Sequence, residues 1–152
     1  MTAAQVLEQA LAMLAQWGGK VVYRMGADLD GNPLGCDCSA FAARACGQRK
    51  YDGKVWWNTD RIYDDALKAS GNMRWRQIPH PVPGCIGVYP GKSKPGGGRV
   101  AGHVWIVEDV AACRTIECCS RGKGIARMTR TAWFGRGALG NSRPIVWAEF
   151  IG

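Results

Sequence analysis

The stretch that most constrains the fold runs from Gly35 to Gly47 and reads GCDCSAFAARACG. Asp37 is a good N-terminal cap, Phe41 is a large apolar anchor in an alanine-rich run, and the closing glycine is a natural helix stop. The pattern therefore predicts a short buried helix with Cys38 on its first turn. A thiol at that position feels the positive end of the helix dipole, which favours the thiolate. The stretch predicts a cysteine nucleophile.

A thiol nucleophile needs a base, and the chain has only two histidines, His80 and His103. His103 follows a glycine and begins an apolar segment that is typical of a strand, whereas His80 lies in a proline-flanked loop and is expected to have no role. Glu117 comes one strand, one turn and part of a second strand after His103. An antiparallel register would place its carboxylate beside the imidazole, where it would fix the tautomer and stabilise the imidazolium. The alternatives are that Cys38 is a small buried apolar residue and that Glu117 points outward to solvent.

Four short motifs, spread over about residues 15 to 125, together resemble those of the NlpC-type cell-wall cysteine peptidases. They are Tyr23 to Gly26 (Y-x-x-G), Asp37-Cys38-Ser39, Gly102-His103-Val104, and Ile116-Glu117. Two positions depart from the family pattern. Ala40 replaces the usual glycine, and Glu117 replaces the usual His, Asn or Gln. The glutamate is closer to the related CHAP amidase and peptidase domains.

This resemblance implies a papain-like fold and hydrolysis of an amide bond in the stem peptide of bacterial peptidoglycan. Cleavage of the N-acetylmuramoyl-L-alanine amide, as in CHAP amidases, is the competing specificity. The resemblance also implies that Tyr23 contacts the substrate or the oxyanion, and that Asp37 and Ser39 bind the peptide beside the scissile bond. Backbone N–H groups at the start of the cysteine helix would meet the oxyanion.

The length of 152 residues and the net charge of +8 predict a single domain, residues 1–152, that acts on an anionic polymer. The bacterial wall fits this description. Nucleic acid is not the expected partner, because the arginines do not cluster and no recognition motif is present, although a basic nucleic-acid or wall-binding module remains the alternative to an enzyme. No segment is apolar enough to insert into a membrane, and we expect a monomer.

The N-terminus lacks the basic start of a secretory signal and carries Glu8 inside its apolar part. We therefore expect synthesis in a bacterial cytoplasm and action at the cell wall, as a phage lysin or a virion-associated enzyme. No cofactor is expected. The paired cysteines at positions 36 and 38, and at 118 and 119, have one and no residues between them, which argues against a zinc site. Seven cysteines leave at least one thiol free in any pairing, and we expect that one to be Cys38.

Two of the seven tryptophans, Trp57 and Trp105, are predicted to line the cleft. Trp105 follows His103 by the period of two that places side chains on one face of a strand. The others, including Trp75, Trp133 and Trp147, are expected to pack in the core.

Helical periodicity dominates the first half of the chain and strand-like alternation the second half. The predicted helices lie at about residues 2–18, 38–46 and 59–67, and the predicted strands at 73–78, 85–89, 104–107, 115–119 and 145–150. The basic glycine-rich segment 90–101 is expected to be a mobile loop. The fold class that follows is α+β, with N-terminal helices packed on a central antiparallel sheet.

Overall fold

The computed structural model describes residues 1–68, 70–131 and 144–152. Within these residues the helices are α1 (Ala3–Trp17), α2 (Cys38–Ala45) and α3 (Thr59–Ala66). The strands are β1 (Val22–Tyr23), β2 (Asp28–Asp30), β3 (Gly35–Cys36), β4 (Trp75–Ile78), β5 (Ile86–Tyr89), β6 (Lys92–Ser93), β7 (Arg99–Val100), β8 (His103–Asp109), β9 (Arg114–Cys119), β10 (Gly124–Thr129) and β11 (Val146–Phe150). No helix in this part of the chain has the length and apolarity needed to cross a bilayer.

Helix α1 begins at a capping box. The Thr2 hydroxyl accepts a hydrogen bond from the Gln5 amide at 3.3 Å, and the Gln5 side chain accepts one from the Thr2 amide at 2.8 Å. The helix buries one apolar stripe through Val6, Ala10 and Met13. Because two N-terminal donors are satisfied by side chains, the chain enters the helix in a defined direction.

The main sheet has the strand order β10-β9-β8-β5-β11-β4, and every neighbouring pair is antiparallel. Helix α2 packs against β8 and β9 in the middle of this sheet. Its alanines let the helix approach closely, and Phe41, Ile106 and Ile116 are wholly buried in the shared core. The predicted α+β class, with helices on an antiparallel sheet, is confirmed.

A smaller three-stranded sheet, in the order β1-β3-β2, lies directly before α2 in the chain. In it β1 and β3 are parallel, with Tyr23 opposite Cys36. This pairing brings Tyr23 next to the start of the cysteine helix, because α2 begins directly after β3.

Besides the short strands β2 and β3, which were not predicted, two further features differ from the sequence expectations. Strand β10 was not predicted, and it pairs with β9 over six residues. The segment expected to be a mobile loop contains a two-stranded hairpin, β6–β7, in which Lys92 lies opposite Val100 and Ser93 opposite Arg99. Its three glycines all have positive φ, a conformation that suits a tight hairpin turn. Trp133, expected in the core, lies outside the described residues.

Candidate active site

The Cys38 thiol is held at the first turn of α2 by the cap residue before it. Asp37 Oδ1 accepts hydrogen bonds from the Ala40 amide at 2.9 Å and from the Ser39 hydroxyl at 3.0 Å. Ala40, which replaces the glycine of the NlpC pattern, is fully buried, and its amide serves the cap. Cys38 is 5% exposed and reaches a surface cleft. The local sequence thus folds into a capped helix that presents a thiol.

The structure brings together the three residues predicted to form the catalytic array. His103 is the first residue of β8 and Glu117 lies on β9, the strand paired with it. The imidazole Nε2 lies 2.5 Å from Glu117 Oε2. The Cys38 side chain lies close enough to the ring to act on its charge. With Nε2 facing the carboxylate, Nδ1 is left for the sulfur.

The Glu117 carboxylate is completely buried, and its side-chain partners among the described residues are His103, Thr115 and Arg130. Its Oε1 accepts from the Thr115 hydroxyl at 2.6 Å and from Arg130 Nε at 3.0 Å, and its Oε2 accepts from Arg130 Nη2 at 2.7 Å. Burial by itself would raise the pKa of Glu117, but the hydrogen bonds and charges of His103 and Arg130 lower it to about 2. The group is a carboxylate at neutral pH.

The same array sets the charge of His103. Burial favours the neutral ring, yet the nearby Cys38 sulfur and the hydrogen-bonded Glu117 carboxylate, with their negative charges, outweigh burial and raise the pKa of His103 to about 9. The ring is therefore an imidazolium at neutral pH. A positive ring beside the sulfur is the arrangement that stabilises a thiolate–imidazolium pair.

The cleft beside Cys38 has a volume of about 380 Å³. Its lining combines the cysteine helix, an aromatic side chain, two ion pairs and the glycines at the base of the hairpin: Met25, Gly26, Asp37, Cys38, Ser39, Lys50, Trp56, Asn58, Thr59, Asp60, Gly91, Arg99, Ala101 and Gly102. One ion pair, Lys50 with Asp37, is buried, and the other, Arg99 with Asp60, is partly exposed. The cleft can therefore receive a chain with both apolar and charged groups.

The residues predicted to bind substrate divide into two groups. Tyr23 lies opposite Cys36, next to the start of α2, and burial together with the nearby charges of Cys38 and Asp37 raises the pKa of its hydroxyl. Ser39 and Asp37 reach the cleft, but they are hydrogen-bonded to each other, and Asp37 Oδ2 also accepts from the Gly26 amide at 2.8 Å. Both oxygens of the Asp37 carboxylate are thus hydrogen-bonded within the protein. Its observed contacts are those of a helix cap.

The prediction that Trp57 and Trp105 line the cleft is wrong. Both side chains are 0% exposed. The Trp57 ring is packed in the core, and its Nε1 donates to the loop residue Asp52 at 2.9 Å. Trp105 does share a face with His103, with ring centroids 6.0 Å apart, but that face is covered by Tyr89 and Trp147. Among the described residues, the aromatic side chain that lines the cleft is Trp56, the neighbour of Trp57.

Three residues near the array were missed from the sequence. Arg130 follows a strand that was not predicted, and Lys50 and Trp56 lie in a loop without a motif. The ammonium of Lys50 contacts Asp37 and lies 5.0 Å from the Trp56 ring centroid. A hairpin prediction for residues 114–129 was the one signal that would have led to Arg130.

All seven cysteines are free thiols. Burial raises the pKa of Cys85 to about 12 and that of Cys46 further still. Such thiols are poor nucleophiles at neutral pH. Among the described residues no three His, Cys, Asp or Glu side chains are grouped as a metal site would require.

Comparisons with known proteins agree with this geometry. The model of the CHAP domain family matches residues 27–120, which include Cys38, His103 and Glu117. Among solved structures, the chain is similar to the P60 domain of the antigen MAP1204 from M. avium subspecies paratuberculosis, at 14% identity and a TM-score of 0.54 over 95% of this chain and 94% of that one. The likeness confirms the papain-like fold. No curated protein matches the chain significantly. With the family model covering more than half of its length, the chain belongs to the CHAP domain family, whose members are usually peptidoglycan-hydrolysing amidases or peptidases.

Proposed function

We propose that this chain is a cysteine peptidase that hydrolyses an amide bond in the stem peptide of bacterial peptidoglycan. The observation that carries the proposal is the array of Cys38, His103 and Glu117 at the edge of an open cleft, in which the ring is hydrogen-bonded to Glu117 and lies close to Cys38. In this proposal Cys38 is the nucleophile, His103 the general acid and base, and Glu117 the group that orients the ring.

The first half of the reaction forms an acyl-enzyme. The Cys38 sulfur attacks the amide carbonyl carbon, and the developing oxyanion is met by backbone N–H groups at the start of α2, where no preceding turn supplies acceptors. The Tyr23 hydroxyl, kept protonated by its raised pKa, can donate to the same oxygen. His103 then gives its proton to the leaving nitrogen, the C–N bond breaks, and a thioester remains.

The second half restores the enzyme. His103, now neutral, takes a proton from a water molecule that attacks the thioester carbon. The C–S bond breaks, the acid product leaves, and the proton stays on the ring beside the thiolate. Throughout, Glu117 accepts the N–H of Nε2, so the ring keeps Nδ1 toward the sulfur.

The family match favours a second candidate, an N-acetylmuramoyl-L-alanine amidase of CHAP type. The same array would cleave that bond by the same steps, since both substrates are amides. The products distinguish the two: an endopeptidase releases a new amine within the stem peptide, and an amidase releases the amino group of L-alanine.

The test is hydrolysis of purified peptidoglycan, followed by turbidity and by release of amino groups, with mass spectrometry of the fragments. The wild type should act, Cys38→Ser should not, and a chelator should have no effect. Cys113→Ser, which removes a partly exposed thiol outside the array, is the matched control and should keep full activity. Inactivity of the wild type on walls of several chemotypes, or activity in Cys38→Ser, would overturn the proposal.

The net charge of +8 supports an anionic substrate such as the wall. Attraction between the basic enzyme and the wall weakens as salt screens it, so activity should fall with rising ionic strength. The expected bacteriophage origin, monomeric state and lack of a secretory signal stay predictions.

A further inference from the structure

The hairpin β6–β7 forms one wall of the cleft and joins the chain directly to His103. It is anchored to the first turn of α3 by Asp60. The Asp60 Oδ1 accepts a hydrogen bond from the Gly91 amide at 2.7 Å, and its Oδ2 accepts one from Arg99 Nη2 at 2.6 Å. One carboxylate thus ties the start and the end of the hairpin to the same helix.

The base of the hairpin is packed closely against α3. A Cβ at Gly102 would lie 2.5 Å from Thr59 Oγ1 and 2.3 Å from the Tyr89 carbonyl oxygen, and one at Gly91 would lie 2.8 Å from the Val100 carbonyl oxygen. These approaches are too short for any side chain, so the wall holds its position only with glycine at both places. Arg99 is therefore presented to the cleft from a fixed backbone.

The charge on this wall is positive. Between residues 90 and 102 the ionisable side chains are Lys92, Lys94 and Arg99, with no acid among them. Among the described residues two cations line the cleft: Lys50 is 3% exposed and paired with Asp37, whereas Arg99 is 57% exposed. Arg99 is thus the cation that a ligand in the cleft can reach.

The geometry of a guanidinium suits a second carboxylate. It has five N–H donors in a planar fork, and the contact to Asp60 uses Nη2. Asp60 orients the group, and the solvent-facing part of the fork can bind another carboxylate by charge-assisted hydrogen bonds.

We propose that Arg99, held by Asp60, is the subsite that binds a carboxylate of the substrate, so that the enzyme selects stem peptides with a free carboxylate over those in which it is amidated. This inference rests on the proposed function. A stem peptide offers two such groups, the α-carboxylate of D-glutamate and the carboxylate at its C-terminus.

The experiment measures peptide binding by calorimetry on a Cys38→Ala background, so that no hydrolysis occurs. The probes are one stem peptide, its D-glutamate α-carboxamide and its C-terminal carboxamide. The full chain should bind the free peptide about tenfold more tightly than one of the two amides, and that amide identifies the carboxylate. Arg99→Gln should remove the preference by weakening only the free peptide, and Arg99→Lys should keep part of it.

Lys94→Gln is the matched control, because it removes one positive charge from the same hairpin outside the cleft lining. It should keep the full preference. Equal affinity for all three peptides, no measurable affinity, or the same loss in Lys94→Gln as in Arg99→Gln overturns the inference. Selective binding without hydrolysis by the wild type would leave the subsite standing and defeat the proposed function instead.

Discussion

Arg130 holds both carboxylate oxygens of Glu117, through Nε at 3.0 Å and Nη2 at 2.7 Å. The carboxylate is 0% exposed, and the side chain of Arg130 is 15% exposed. The oxygen nearest Nη2 is also the one that contacts His103. Arg130 is thus a positioning residue: it fixes the charge and the orientation of the group that orients the imidazole.

Arg130→Gln should therefore destabilise the protein and slow the reaction. Removing Arg130 leaves the buried carboxylate with His103 as its one cationic partner among the described residues, and the expected loss in the free energy of unfolding is about 3 kcal/mol. Arg130→Lys keeps the charge but loses the two-point contact, so its loss should be smaller. Urea denaturation and the hydrolysis rate measure the two effects.

Arg127 provides the control for this substitution. Its Nε and Nη2 bind Glu108 at 2.6 and 2.7 Å, a similar two-point contact, but the side chain is 49% exposed. Solvent screens such a pair, so Arg127→Gln should cost about 1 kcal/mol or less. Equal losses of unfolding free energy in Arg130→Gln and Arg127→Gln would show that burial does not make the Arg130–Glu117 pair more important for stability.

The raised pKa of His103 predicts the alkaline limb of the pH profile. The imidazolium persists up to pH about 9, so kcat/KM should hold through neutral pH and fall as the pH passes about 9. The raised pKa of His103 also predicts how the stability of the fold depends on pH. Because the folded protein favours the protonated ring, the stabilisation is complete below pH 6.5, the usual pKa, and is lost as the pH rises to about 9.

Glu117→Gln tests the cause of this shift. The variant removes the negative charge that helps keep the ring protonated, so the alkaline limb should move to lower pH. Rates across the neutral and alkaline range, together with the NMR titration of the ring, measure it. A limb that stays in place would mean that Cys38 alone sets the charge of His103.

The sequence was sufficient to locate Cys38, His103 and Glu117 because each belongs to a local pattern. A cap followed by an alanine-rich run places the thiol at a helix start, and the antiparallel register of two neighbouring strands places the glutamate near the ring. Arg130 follows no such pattern. It reaches Glu117 only because β10 folds back on β9, and that pairing depends on a turn that was not recognised.

The tryptophan predictions show a second limit. The period of two correctly places Trp105 on the face of His103, but periodicity does not tell which face is covered by other strands. Trp147, on β11, packs edge-on to Trp105 with centroids 5.9 Å apart and belongs to a strand distant in sequence. Which side chains line the cleft therefore depends on packing between strands that are distant in sequence.

The buried ion pair of Asp37 and Lys50 yields a further prediction. Both side chains are 3% exposed, and Asp37 is the cap of the cysteine helix. Lys50→Met should lower the free energy of unfolding by about 3–5 kcal/mol, because the carboxylate stays buried without its cation. Lys54→Met, in the exposed part of the same loop, should have little effect.

Asp37→Asn in the Lys50→Met background should restore part of this stability, since the amide removes the charge and its oxygen can still accept from the Ala40 amide. A double-mutant cycle by chemical denaturation measures the coupling. Simple additivity of the two losses would contradict a direct interaction between these side chains.

Trp56 and Trp57 are adjacent in the chain and should respond in opposite ways to substitution. Trp57 is 0% exposed, and the Arg74 guanidinium carbon lies 4.6 Å from its ring centroid, so Trp57→Ala should cost about 3–5 kcal/mol of stability.

Trp56 is 49% exposed in the cleft, and Trp56→Ala should lose about 1 kcal/mol or less. Its effect should fall on KM instead, as a several-fold increase, because the aromatic wall of the cleft is removed. Thermal melts and steady-state kinetics separate the two, and a stable Trp57→Ala or an unchanged KM in Trp56→Ala would contradict the roles assigned to them.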